Sequence, residues 1–136
     1  MTRVMTHALP SPKRAGLVVR EVERLYAEGR KTVVWVADDR LRTVLDEYLW
    51  TYEQLAFIPH VVWTEEMGEV KDPVVLVAQE ANPNGAEALV VADELPPDNW
   101  VSTFDEVHDF IPPGDEGVER EAWWTRWRDA HKEKSG

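Results

Sequence analysis

The chain contains no cysteine, which excludes disulfide bonds, thiol catalysis and cysteine-ligated zinc. It also contains no apolar run near the ~20 residues that span a bilayer, so we expect no association with a membrane. The first residues include no continuous apolar segment, so we expect no secretory signal. These absences favour a soluble protein of the cytoplasm.

The motifs of common α/β enzymes are missing as well. The sequence has neither a G-x-G-x-x-G nor a G-x-x-x-x-G-K-[S/T] phosphate loop, and it has no G-x-S-x-G nucleophile elbow. The histidines at positions 7, 60, 108 and 131 show no ligand spacing such as H-x-x-x-H. We therefore expect each histidine to be structural or solvated, and we predict no cofactor and no metal.

Positive charge is scarce: the chain has 15 lysines and arginines and 26 acidic residues, which gives a net charge of −11. Lys71 is the only lysine or arginine from position 65 to position 119, whereas the first twenty residues hold Arg3, Lys13, Arg14 and Arg20 and no acid. The C-terminal segment adds Arg120, Arg126, Arg128, Lys132 and Lys134. This balance argues against direct binding of nucleic acid. If the two ends of the chain meet, their basic residues form a local patch that suits an acidic peptide.

The length of 136 residues predicts one domain over residues 1–136, with residues 1–2 and 133–136 frayed. Strands are predicted at residues 3–9, 32–37, 60–63, 74–78, 88–92 and 105–111. Helices are predicted from Ser11, as N-cap with Pro12 next, to about residue 28, from residue 38 to about residue 50, and at residues 117–132. Alternating strands and helices indicate an α/β fold, with a mostly parallel sheet covered by helices on both sides.

Residues 46–60 combine a helix end with two large aromatic residues. An apolar stripe along residues 41–49 has the spacing of one helix face, and Trp50 follows it. Phe57 precedes Pro59, which keeps the residue before it out of the helical region. The two aromatics either cap the core or form a docking surface, since aromatic anchors dominate interface energetics.

The motif D-E-x-L-W at residues 46–50, followed by F-I-P-H at residues 57–60, resembles the signature of the chi subunit of bacterial DNA polymerase III holoenzyme. The resemblance extends over residues 17–130. It implies a single three-layer Rossmann-like domain and a non-catalytic accessory subunit. Such a subunit links the clamp loader to single-stranded DNA-binding protein, usually through the psi subunit. The resemblance also implies a surface for psi, or for another replication or repair protein, at Trp50, Phe57, Pro59 and His60.

The last predicted helix places Arg120, Trp124, Trp127 and Arg128 on one face, at i, i+4, i+7 and i+8. From residue types alone, these tryptophans either pack on the sheet beneath extended arginines or bind a ligand. The resemblance implies that they bind the C-terminal tail of single-stranded DNA-binding protein, which is acidic and ends in a phenylalanine with a free carboxylate.

The tail site implied by the resemblance consists of Ile111, Arg120, Trp124, Arg126, Trp127 and Arg128, with Lys13 and Arg14 as a supplement. Three positions depart from the family pattern, because Glu121, Trp123 and Thr125 stand where the family places basic residues. Arg120 and Arg126 are each one residue away from a family basic position.

An alternative function rests on two acidic pairs, Asp38-Asp39 and Asp93-Glu94, each of which follows an apolar strand. Both pairs should lie at the carboxyl edge of the sheet, where α/β domains bind ligands. Carboxylates in that position could hold Mg²⁺, as in a metal-dependent enzyme or a receiver-like domain. In the competing interpretation, Asp38 or Asp39 caps the next helix and the other carboxylates are solvated.

Overall fold

A computed structural model describes residues 2–51 and 58–131 of the chain. Its strands are β1 (Arg3–Ala8), β2 (Thr32–Trp35), β3 (His60–Val62), β4 (Val74–Val77), β5 (Ala88–Val91) and β6 (Glu106–Ile111). Its helices are α1 (Ala15–Ala27), α2 (Asp39–Thr51), α3 (Asp98–Val101) and α4 (Asp115–Ala130). A 3-10 turn (Glu65–Met67) lies between β3 and β4. Within the described ranges, no helix has the length and apolar character needed to cross a membrane.

The strands form one sheet in the order β1-β6-β5-β2-β4-β3. Each neighbouring pair in that order is parallel. Every residue of β2, β4 and β5 is buried, which explains why these strands are continuous apolar runs rather than alternating ones. The predicted α/β fold is confirmed, and the described sheet is parallel throughout.

Successive residues of the central strands face two different hydrophobic layers. In β2, Val34 packs in the layer that contains the buried sides of α1 and α2. Its neighbours Val33 and Trp35 pack in the layer that contains the buried residues of α3 and α4. The sheet is therefore covered on both sides, which gives the three-layer arrangement.

The predicted start of α1 at Ser11 and Pro12 is wrong, because the helix begins at Ala15 with Arg14 in the N-cap position. The backbone of Leu9 still bonds to the Ile111 carbonyl at 2.8 Å, and its side chain is buried. The chain therefore leaves the sheet only after Leu9, and residues 10–14 form the connection to α1. Ser11 Oγ accepts a bond from the Lys13 N–H at 3.3 Å in that connection.

Two features of the layer formed by α3 and α4 were not predicted from the sequence. The short helix α3 follows Pro97, whose carbonyl accepts bonds from the next turn, and it buries Trp100. Helix α4 begins two residues earlier than expected, after Gly114 at a φ of 85°. Gly117 lies so close to the preceding loop that a Cβ there would be 1.9 Å from the Pro112 carbonyl oxygen.

Candidate functional site

The D-E-x-L-W and F-I-P-H motifs meet at His60, the first residue of β3. Asp46 and Trp50 lie one turn apart on α2, so both reach the same imidazole. His60 Nε2 is 2.7 Å from Asp46 Oδ1, and Nδ1 is 2.6 Å from the Ile58 carbonyl oxygen. The rings of Trp50 and His60 meet edge to face, with centroids 5.0 Å apart. The spacing of the motif therefore corresponds to side-chain contacts.

Trp50 presents its ring to solvent at this corner, with 53% of the residue exposed, whereas His60 is buried. Val44 and Tyr48 are also exposed and lie one turn apart on α2. With 3.6 residues per turn, these two side chains lie on a different side of α2 from Trp50 and are not part of the corner at His60. Phe57, which the sequence placed in the same surface, lies outside the described residues. Of the other residues predicted for the psi surface, His60 contacts Trp50 and Pro59 is partly buried. The binding of psi at this surface stays a prediction.

The inner face of α4 is held to the sheet by the carboxylate of Asp109 in β6. Arg120 donates to it from Nε at 2.7 Å and from Nη2 at 2.8 Å. Trp124 Nε1 donates to the same carboxylate at 2.6 Å, and the Trp124 side chain is fully buried. Arg120 Nη2 also donates to the Asp93 carbonyl. These contacts commit Arg120 and Trp124 to packing α4 against β6.

Trp123, the neighbour of Trp124, lies at the outer side of α4 and is only half-buried. Its ring meets the Trp124 ring edge to face, with centroids 4.7 Å apart. A groove of about 300 Å³ runs past Trp123, with Arg126 at one side. Its lining residues are Leu95, Glu116, Glu119, Arg120, Trp123 and Arg126. A second hollow of about 260 Å³ also touches Trp123 and Arg126, with Trp127 as a further wall.

The residues predicted for the tail site divide into those around this groove and those away from it. Arg120, Arg126 and Trp127 line the groove or the adjoining hollow, and Ile111 packs in the same apolar layer as Trp123. Trp124 is part of the core.

The remaining cations take other directions. Arg14 Nη1 lies 3.3 Å from the Asp93 carbonyl oxygen, the atom that Arg120 also contacts. Lys13 next to it is exposed. Arg128 turns toward β1, where its Nη2 donates to the Val4 carbonyl at 3.1 Å. This bond joins the C-terminal helix to the N-terminal strand, which is the condition on which the predicted basic patch depends.

Sequence reasoning missed Trp123 as a groove residue and treated it as a departure from the family pattern. The helical spacing contains a signal that could have identified it, because residues 116, 119, 123 and 126 recur at i, i+3, i+7 and i+10 and form one outer face. Leu95, in the loop after β5, has no comparable sequence signal.

Two carboxylates of the alternative enzyme site, those of Asp93 and Asp38, accept hydrogen bonds from backbone N–H groups. Asp93 accepts bonds from the N–H groups of Ala37 at 3.1 Å, Glu94 at 2.7 Å and Asp38 at 2.7 Å. Asp38 Oδ1 caps α2 by accepting from the Arg40 N–H at 2.7 Å, and Asp39 pairs with Arg42. Both acidic pairs do lie at the carboxyl edge, but the geometry matches the capping interpretation.

Comparison with known proteins agrees with the motif. The family model described as "DNA polymerase III chi subunit, HolC" matches residues 1–134. "Probable DNA polymerase III subunit chi" of Rickettsia prowazekii is 31% identical over 74 residues, which make up 54% of this chain and 44% of that protein. "DNA polymerase III subunit chi" of Pseudomonas aeruginosa is 29% identical over 114 residues, 82% of this chain and 78% of that protein. The match thus spans less than half the length of the Rickettsia relative. This chain belongs to the family of DNA polymerase III chi subunits.

Proposed function

We propose that this chain is a non-catalytic accessory subunit of DNA polymerase III in DNA replication. In this role it links the clamp loader to single-stranded DNA-binding protein by holding that protein's acidic C-terminal tail. Family membership supports the assignment to the polymerase. The observation that supports tail binding is the groove on α4, in which the half-buried Trp123 ring lies beside the exposed guanidinium of Arg126.

The groove offers both kinds of contact that a terminal phenylalanine needs. Leu95 and Trp123 provide apolar and aromatic surface for a phenyl ring. Arg126 provides a guanidinium that can hold the terminal carboxylate through two parallel hydrogen bonds. The volume of about 300 Å³ is at the lower end of the about 300–1,000 Å³ typical of small-ligand sites, which suits one side chain and a carboxylate.

The acids at the groove determine how a negatively charged tail would lie in it. Glu116 and Glu119 line the groove together with Arg126. Because like charges placed together are unfavourable, the aspartates of the tail should avoid the side with the glutamates. They should leave the groove on the Arg126 side.

Two of the predicted site residues have a positioning role in this proposal. Arg120 and Trp124 are held by the Asp109 carboxylate, so they fix the rotation of α4 about its axis. That rotation turns Trp123 and Arg126 outward. Ile111 and Trp127 contribute apolar support under Trp123, and Lys13, Arg14 and Arg128 contribute positive potential from the surroundings rather than a direct contact.

A labelled peptide that ends in Asp-Phe with a free carboxylate tests this proposal by fluorescence anisotropy. We expect a micromolar dissociation constant, equivalent to about −8 kcal/mol, and weaker binding as the salt concentration rises. The same peptide with an amidated terminus should bind at least about tenfold more weakly, because a charge-assisted hydrogen bond contributes about 1.5–3 kcal/mol. Equal binding of the two peptides would show that the carboxylate is not recognised.

Two substitutions locate the site, and a third serves as their matched control. Arg126→Ala and Trp123→Ala should each weaken the free-carboxylate peptide by at least about tenfold, as expected for contact residues at a binding site. Arg20→Ala removes the same charge from an exposed position on α1, on the opposite face of the sheet, and should leave the affinity unchanged. If Arg126→Ala and Arg20→Ala have equal effects, only net charge matters and the groove is the wrong site.

The proposed surface for psi, or for another replication or repair protein, is the corner formed by Trp50, Pro59 and His60. Trp50 is an exposed aromatic side chain there, and large aromatic side chains are enriched at interface hot spots. Helix α2 lies on the face of the sheet opposite α4, so the two proposed partners can bind at the same time.

A further inference from the structure

Three potential metal ligands from distant parts of the sequence meet beside the edge strand β1. They are His7 of β1, Glu21 of α1 and His108 of β6. In the parallel register of β1 and β6, Met5 lies opposite His108 and His7 lies opposite Phe110. Both histidines therefore point to the face of the sheet that α1 covers. His7 Nε2 is 2.9 Å from His108 Nδ1, and Glu21 Oε1 is 3.7 Å from the former and 3.1 Å from the latter.

Two hydrogen-bond acceptors of this cluster are in close contact when both rings are neutral. His108 Nε2 lies 2.6 Å from Glu106 Oε2, so that nitrogen carries the proton and Nδ1 carries a lone pair, which accepts from His7 Nε2 at 2.9 Å. Glu21 Oε1, which accepts from Arg24 at 2.7 Å, is 3.1 Å from the same Nδ1 with no hydrogen between the two atoms. A cation between the three ligand atoms, either an additional proton or a metal ion, removes this unfavourable contact.

We propose that His7, Glu21 and His108 bind one divalent transition-metal ion, for which Zn²⁺ is the best fit. Tetrahedral zinc with bonds of about 2.0–2.1 Å places its ligand atoms about 3.3–3.4 Å from one another. The observed separations of 2.9, 3.1 and 3.7 Å lie on both sides of that value. The separations need to change by only a few tenths of an ångström, but both imidazoles must also turn, because their nitrogens point at each other with the ring centroids 5.2 Å apart. Imidazole and carboxylate are ligands that zinc accepts.

The neighbours of the cluster are those of an oriented metal site. Metal-binding histidines commonly donate their second ring N–H to a carboxylate, as His108 does to Glu106. Glu106 is held in turn by Arg3 at 2.6 Å and by Arg30 at 2.9 Å. These bonds orient the His108 ring and direct Nδ1 toward the other two ligands.

The carboxylates of the cluster are held ionised by their neighbours. Burial opposes the ionisation of Glu21, but the hydrogen bond from Arg24 lowers its pKa. Burial likewise opposes the ionisation of Glu106, and its hydrogen bonds with Arg30 and His108 lower its pKa. Burial lowers the pKa of His7.

The ion would be reached from the side of His7. The side chains of His108 and Glu21 are 0% and 11% exposed, whereas that of His7 is 36% exposed. An open fourth position on this side leaves room for a water ligand. The ion would connect the edge strand β1 directly to α1 and β6, which is a structural role that needs no catalysis.

Titration of the untagged, chelator-treated full chain with Co²⁺ and then with Zn²⁺ tests this proposal. We expect one ion per chain, with the intense visible absorption of four-coordinate Co²⁺, and displacement of Co²⁺ by Zn²⁺. Zinc should also raise the melting temperature, because it binds only the folded arrangement of the three ligands. Less than one ion per chain, or only the weak absorption of six-coordinate Co²⁺, would overturn the proposal.

Substitutions at the ligands and at a control histidine complete the test. His7→Ala and Glu21→Gln should lower the zinc affinity by more than about 100-fold, and Glu106→Gln, which affects only the support of His108, by about 10–100-fold. His131→Gln changes a histidine at the end of α4, away from the cluster, and should have no effect. Because His7 is on an edge strand and partly exposed, circular dichroism should show that His7→Ala is folded. Unchanged zinc affinity in folded His7→Ala, or an equal loss in His131→Gln, contradicts the site.

Discussion

Replacing Arg120 by alanine should destabilise the chain severely, although arginine at a helix position normally suggests a surface residue. The Asp109 side chain is 0% exposed and the Arg120 side chain 8% exposed. Removing Arg120 leaves the buried carboxylate with the N–H groups of Trp124 and Phe110 but without a counter-charge. Breaking a buried ion pair from one side costs about 3–5 kcal/mol, and we expect that loss for Arg120→Ala.

Thermal and urea denaturation of purified variants measure this loss. For a chain of this length, 3–5 kcal/mol corresponds to a fall of roughly 10–20 °C in melting temperature. Arg126→Ala is the matched control, because it removes the same side chain from an exposed position of the same helix. The control should change the unfolding free energy by no more than about 0.5 kcal/mol.

A second variant separates the effect of charge from the effect of lost packing. Adding Asp109→Asn to Arg120→Ala removes the uncompensated charge but keeps an oxygen that can accept from Trp124. If the unpaired charge is the cause, the double variant should be more stable than Arg120→Ala alone. The reasoning is refuted if Arg120→Ala and Arg126→Ala have the same melting temperature. It is also refuted if the double variant is less stable than Arg120→Ala alone.

The remaining predictions concern three other features of the chain. Gly117→Ala should lower the unfolding free energy by at least about 1–3 kcal/mol in urea denaturation, because the new methyl group would overlap the Pro112 carbonyl; a change near zero would mean that the start of α4 can move away. Trp50→Ala should lower the unfolding free energy by only about 0.5–1.5 kcal/mol, because it removes one aromatic contact, the one with His60. The same substitution should weaken the binding of psi, or of the protein that replaces psi, by roughly 2 kcal/mol in calorimetry. The isolated chain should not bind a labelled single-stranded oligonucleotide at physiological salt, because its net charge is −11; submicromolar binding in an anisotropy assay would contradict that expectation.

Local sequence pattern was sufficient to predict the α/β fold and the motif that identifies the family. Strands β2 and β4 are apolar runs rich in β-branched residues, and every residue in them is buried. Such a run is typical of a central strand of a parallel sheet covered on both faces. The spacing of Asp46 and Trp50 on α2 and the position of His60 after a proline are also local, and they are the contacts that the motif encodes. Helix boundaries failed at Ser11, where a long-range bond from Leu9 to Ile111 keeps the chain in the sheet.

Only the tertiary structure decided which side of α4 is accessible. Val118 is 70% exposed, whereas Arg120 is buried by its pairing with Asp109 eleven residues away. Polarity alone would expose Arg120 and bury Val118, but Asp109 of β6 reverses this by binding Arg120 and Trp124. The sequence does not show that contact, so it could not distinguish the buried Trp124 from the accessible Trp123.

The same limit applies to the histidine cluster. His7 and His108 are 101 residues apart, and their rings meet because the first strand joins the sheet edge beside the last strand. Periodicity reports which face of a strand is buried, but it contains no information on which strands are neighbours. Strand order arises from the packing of the whole chain, and only that packing brought the two imidazoles and Glu21 together.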